Sequence, residues 1–244
     1  METTASEKEE KCKFLVIIFS FIFIFLSIFI LVILLFHAKR IAVTEGLVEE
    51  VAGNLKKIKD RIKTPSYNLK VSEVSNDDYK IGAENPKIIF IEYVDLNCEF
   101  CAKYHNSMKE VLKSFPNEVS LVVRHAPIKE GSVDLALVSE CMGEQGVFWE
   151  FLNAAFAEER TSNFIEEFSK SNSIDKEKLE ECFTTKKYQG KVEGNMKEAE
   201  NTYLEGTPHT IILLSDGRNF LLQGFHETSK LKRLVEIFIF ELEG

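Results

Sequence analysis

The chain has 244 residues, 45% of them hydrophobic and 28% charged, with a formal net charge of −9. That length suits one full domain with additions or two small ones; the apolar content excludes a disordered chain, and five cysteines are too few for a disulfide-stapled miniprotein. Beyond residue 40 there are 25 Lys/Arg against 35 Asp/Glu and no basic stripe, which excludes nucleic acid as a partner.

Residues 1–13 read as a short polar tail. Phe14 to Phe36 follow, 23 residues without a charge and with only Ser20 and Ser27 as hydroxyls. As a helix this run spans about 34 Å, enough to cross the hydrocarbon core of a lipid bilayer. It is longer than the apolar part of a signal peptide, and Phe36-His-Ala-Lys-Arg40 offers no A-x-A cleavage pattern. An uncleaved transmembrane anchor over residues 14–36 is therefore expected. Charge hardly orients it, because Lys8, Lys11 and Lys13 on one side face Lys39 and Arg40 on the other.

Residues 37–75 read as a helical stalk and linker. Ile41, Val48, Leu55 and Ile62 recur every seventh residue, with Thr44, Val51 and Ile58 three positions after the first three of them. Such an a/d seam predicts either a homo-oligomer paired through residues 41–63 or a stalk helix lying on its own domain, and Gly46 and Gly53 weaken both. Thr64-Pro-Ser66 ends the helix, and the chain to about Asn76 reads as linker.

Lys87-Ile-Ile-Phe-Ile-Glu-Tyr-Val94 is an apolar, β-branched run, the pattern of a buried strand. It leads straight into Cys98-Glu-Phe-Cys101, and helical periodicity then continues to about Ser114. Cys98 is thus placed at a helix N-terminus, where unpaired N–H groups and the helix dipole stabilise a thiolate. Cys101, one turn on, is positioned to close a disulfide with it. Zinc would need two more ligands at compact spacing, and only His105 and His125 are available, with no second C-x-x-C or H-x₃-H. A purely structural bridge across so small a loop stabilises little. Redox chemistry without metal or cofactor is the reading that remains.

Lys129 to Glu205 contains no convincing strand. Within it, Cys141 and Cys182 lie on the helical segments Val133–Gly143 and Asp175–Phe183. They read either as two buried thiols or as a structural disulfide tying the segments together. Gly206-Thr-Pro208 then precedes the strand His209–Leu214, and a proline at that place fits a cis bond. Ser215–Arg218 reads as a hairpin turn, Asn219–Gln223 as a strand, and about Glu227 to Glu241 as a helix burying Leu231, Leu234, Val235, Phe238 and Ile239.

Taken together, Asn76–Pro86, Ile91–Cys101, Val122–Ile128, Glu140–Leu152 and Gly206–Thr210 resemble the DsbA-like thiol-disulfide oxidoreductases of the thioredoxin superfamily, in the family's order. The resemblance implies an α/β thioredoxin fold over residues 76–244, with a helical insertion at 129–205. It implies that Cys98 is the attacking thiolate and Cys101 its partner. Pro208 matches the cis-proline facing the cysteines, with Thr207 offering backbone groups to an extended substrate. Glu92 stands where the family has a buried acid, able to pass a proton to or from Cys101; the alternative is a solvated strand residue.

The most oxidising members carry a histidine before the second cysteine; here Glu99 and Phe100 fill the dipeptide. A carboxylate at Glu99 competes for the helix field and opposes the thiolate, so a potential between about −120 mV and about −270 mV is expected. The function implied is introduction of disulfides into exported, cysteine-containing proteins, with reoxidation by a DsbB-like membrane partner. That chemistry needs an oxidising space, which places the catalytic domain outside the cytoplasm, on a single-pass anchor in a bacterial inner membrane. Isomerase or reductase activity, oligomerised through the stalk, is the alternative. A redox-inactive binding module is a third, opposed by the intact cysteines and the Thr-Pro turn.

Overall fold

The computed structural model describes residues 25–27, 29–41, 43–49, 68–157 and 161–243. Two units divide the chain, Met1–Thr64 and Pro65–Gly244. In the first, helix α1 (Phe25–Glu49) is the one helix among the described residues long and apolar enough to cross a membrane. It continues past the apolar run, and the seam positions Ile41 and Val48 are exposed on it. The tail at 1–13, the first part of the expected span and the rest of the seam lie outside the described residues.

The second unit is built on a five-stranded sheet: β1 (Tyr79–Gly82), β2 (Ile88–Val94), β3 (Val119–His125), β4 (His209–Leu214) and β5 (Asn219–Gln223), in the order β1-β3-β2-β4-β5. β2 and β3 are parallel and joined by helix α2 (Glu99–Ser114); every other pairing is antiparallel. Between β3 and β4 come α3 (Ser132–Glu144), α4 (Phe148–Ala155), α5 (Phe164–Ser171), α6 (Lys176–Thr184) and α7 (Gln189–Asn201), and α8 (Thr228–Glu243) closes the chain. The stretch from Lys129 to Glu205 is helical wherever it is regular among the described residues.

β2 is apolar on both faces because both are covered. Ile88, Phe90 and Val94 join Met108 and Val111 of α2 and Leu231, Val235 and Phe238 of α8 in one core. Ile91 and Tyr93 point the other way, into a second core with Val122, Ile211 and Ala199 of α7. The two-residue alternation of a strand then puts Glu92 on the α2 face, between Phe90 and Val94.

The segment read as linker up to Asn76 is instead held against this unit from Asn68 onward. Leu69 exchanges hydrogen bonds with the Asn219 side chain, and the Ser72 N–H donates to Glu198 at 2.8 Å. The physical reason is Arg124, a buried cation on β3 that must be surrounded by acceptors. Asp78 and Glu198 supply carboxylates, and Ser72 and Glu73 supply carbonyls. A sequence pattern of polar residues does not reveal such a remote partner.

Candidate active site

β2 ends at Val94, and a short turn delivers Cys98 to the N-cap position of α2. Its backbone is extended (φ −95°, ψ 116°), its N–H donates to the Asp95 carbonyl at 3.0 Å, and its carbonyl accepts from Ala102. The turn is fixed by Asp95, which is buried. Its carboxylate accepts from the N–H groups of Asn97, Ile128 and Lys129 and from the Ser132 hydroxyl at 2.6 Å. One side chain thus ties the start of α2 to the loop that leaves β3.

The two cysteines are free thiols in this structure and differ in environment. Cys98 is 6% exposed and Cys101 is fully buried. The Cys98 thiol is pulled down to about 5, first by a hydrogen bond from the Cys101 thiol. Burial opposes this, while Thr207 and the backbone N–H groups of Cys101 and Phe100 support it. Cys101 moves strongly upward, because burial penalises its thiolate, the Cys98 hydrogen bond holds its proton, and Glu92 is close enough to repel its charge. One sulfur is poised as an ionised nucleophile, the other as a protonated partner.

Across from them, the Thr207–Pro208 bond is cis and Pro208 leads into β4. The Cys98 sulfur lies 3.3 Å from the Thr207 carbonyl oxygen, to which it donates while protonated. Beside Cys98 opens a cleft of about 460 Å³ whose lining includes Leu96, Asn97, Lys103, Asn106 and Phe156.

Glu92 is completely buried, which excludes the solvated-strand alternative. Burial pushes its carboxyl above the ordinary carboxylate range, and His105 pulls the other way. Glu99, by contrast, is exposed and ion-paired with Lys103, which holds its carboxyl below the ordinary range. It is absent from the main influences on Cys98, where burial is what opposes ionisation. Phe100 is exposed, with Lys103 over its ring at 5.6 Å.

The fold therefore gathers Cys98, Cys101, Thr207 and Pro208, with Glu92 behind them, and leaves Glu99 and Phe100 on the surface beside them. Cys141 of α3 and Cys182 of α6 are bonded to each other, with Cα atoms 5.9 Å apart. His125 is engaged by Glu140 at 3.2 Å and by Ser139, while His105 faces Glu92. Asp95 and Ser132 were not legible as a pair, since 37 positions separate them. The only local sign was an acidic residue at the junction between strand and helix, which reads as a helix cap.

Residues 74–236, about two thirds of the chain, match the family described as Thioredoxin; the chain belongs to that family. It is 33% identical over 79 residues to the Na(+)/H(+) antiporter NhaA of Herminiimonas arsenicoxydans, a match covering 32% of this chain and 13% of that protein. A Rickettsia typhi protein provisionally named a protein-disulfide oxidoreductase is 29% identical over 84 residues, 33% of this chain and 31% of that protein. The matches thus span less than a third of the length of these curated relatives. The crystal structure of Pseudomonas aeruginosa DsbA2 superposes with a TM-score of 0.56 at 24% identity, covering 68% of this chain and 96% of that one. The fold is a DsbA-like thioredoxin core with added helices.

Proposed function

We propose that this member of the thioredoxin family is a membrane-anchored thiol-disulfide oxidoreductase that introduces disulfides into exported proteins. The observation that carries the reading is the asymmetry of the pair: Cys98 is acidic at a helix N-terminus and Cys101 is buried and protonated. A substrate thiolate attacks the Cys98 sulfur of the oxidised enzyme and expels Cys101. The substrate's second thiolate then attacks its own sulfur in the mixed disulfide and releases Cys98 as a thiolate. A stable leaving thiolate favours the reduced enzyme, hence oxidation of the substrate. Thr207, next to the Cys98 sulfur, offers backbone groups to an extended substrate segment.

The anchor reading draws support from α1, and the compartment reading from the Cys141–Cys182 bond, since bonds of that kind persist in oxidising spaces. The arrangement that follows is a single-pass protein of a bacterial inner membrane, with residues 1–13 cytoplasmic and the catalytic unit outside. Turnover then needs a membrane redox partner, a DsbB-like or equivalent protein, to reoxidise the pair.

Thiol alkylation of intact cells tests the direction of electron flow. A pair found mostly oxidised supports the oxidase; a pair found mostly reduced replaces it with an isomerase or reductase. A Cys101→Ala variant should accumulate covalent complexes with exported proteins, and a chain that traps none is a binding module instead.

A further inference from the structure

Behind Cys101, Glu92, His105, Tyr104 and Thr210 are buried with side-chain polar atoms that lack hydrogen-bond partners. Both carboxylate oxygens of Glu92 and Nδ1 of His105 are unpartnered, and His105 Nδ1 stands 3.8 Å from Glu92 Oε2. Their side chains are 0% and 3% exposed. Unpaired buried polar groups are costly, so their retention here calls for a reason.

The placement follows from the elements. His105 is four residues after Cys101 on α2 and shares its face, and Glu92 projects from β2 toward that face. The imidazole is held by Trp149, stacked at 6.4 Å, and by Phe156 at 5.5 Å. Around Glu92, α2 presents Cys98, Cys101, Tyr104 and His105, β3 presents Val123 in register, and β4 presents Thr210. Of these groups only His105 is able to carry positive charge.

We propose that His105 is a positioning residue that sets the acidity of Glu92, the carboxyl that trades a proton with Cys101 during disulfide exchange. This rests on the exchange chemistry assigned above. When a substrate thiolate bonds to the Cys98 sulfur, the Cys98–Cys101 bond breaks and its electron pair stays on the Cys101 sulfur. That sulfur takes the proton of the Glu92 carboxyl. The carboxylate left behind is buried, and His105 is the basic group facing it. In the reverse step Cys101 returns its proton to Glu92 as its sulfur attacks Cys98 of the mixed disulfide, expelling the substrate thiolate. The two disulfides are the only oxidants involved.

The test uses the full chain in detergent, carrying Cys12→Ser, reduced and mixed with an aromatic disulfide whose thiol product is coloured. The first release reports attack by Cys98, and the second reports displacement by Cys101. Both are followed from about pH 5 to about pH 9. His105→Phe, which keeps the ring packing, should leave the first release alone and move the second profile up by about one pH unit, a slowing of about tenfold near neutrality. Glu92→Gln should abolish that inflection, and adding His105→Phe to it should change nothing further. If His105→Phe fails to fold, seen as loss of the first release, His105→Gln decides by the same readout. An unmoved second profile overturns the proposal, as does a His105 effect that persists in Glu92→Gln. Absence of both releases from the parent chain (Cys12→Ser alone) refutes the exchange reading itself.

Discussion

The Cys98 thiol lies 3.3 Å from the carbonyl oxygen of Thr207, a residue 109 positions away in sequence. The cysteine that opens α2 and the loop that enters β4 therefore adjoin. In the proposed function, a substrate strand laid along Thr207 brings its own cysteine to the Cys98 sulfur.

Alkylation of the reduced protein across pH should show Cys98 reacting with a midpoint near 5, with Cys101 unreactive well into the alkaline range. Thr207→Val, which keeps the carbonyl but removes the side-chain hydroxyl that favours the thiolate, should raise the Cys98 midpoint. The sign for stability follows from the depressed pKa. Stabilisation of the reduced fold by ionised Cys98 is complete only above the ordinary thiol value of about 8.5 and disappears as pH falls through about 5. Melting temperatures of reduced minus oxidised protein should thus grow from about pH 5 to about pH 8. A flat difference rejects the acidic thiol.

Substitution in the dipeptide tests whether it sets where the potential falls. Cys98 at about 5 lies between the thiols of DsbA at about 3.5 and thioredoxin at about 7. The potential should accordingly fall between about −120 mV and about −270 mV in equilibration against glutathione. Phe100→His should raise it and lower the Cys98 pKa. Glu99→Gln should move both the same way by much less, because Lys103 already engages that carboxylate at the surface.

The Cys141–Cys182 bond joins α3 to α6 across a separation of 41 residues. Replacing both by serine should cost about 2–4 kcal/mol in denaturant unfolding. A disulfide with a stable leaving thiolate is the more easily reduced. Titration of the native protein with dithiothreitol should therefore reduce Cys98–Cys101, with its acidic Cys98, before this bridge. Simultaneous reduction of the two pairs contradicts the assignment of separate roles.

Topology is read by a membrane-impermeant thiol reagent on intact cells. After reduction Cys98 should be labelled while Cys12 stays protected. Labelling of Cys12 alone reverses the orientation and removes the proposed supply of disulfides to exported proteins.

Much of the framework was legible along the chain because it depends on neighbours in sequence. The run Ile88–Val94 has one period and one composition, the cysteines follow it directly, and helix α2 starts where a helix must after Cys98. The strand and turn around Pro208 were readable for the same reason. The apolar run from Phe14 to Phe36, too, is a property of uninterrupted composition. What only the tertiary structure decided are the relations between distant segments, since pairing energy depends on burial and geometry that no local pattern records. The docking of residues 68–75 on Arg124, the clamp of Asp95 on Ser132, the closure of Cys141 onto Cys182 and the facing of His105 to Glu92 are all of this kind. The polarity of the cysteine pair belongs there as well. Both residues are the same chemical group three positions apart, and it is the hydrogen bond from Cys101 to Cys98 at the helix end, with Cys101 enclosed against Glu92, that favours a thiolate at one and a thiol at the other.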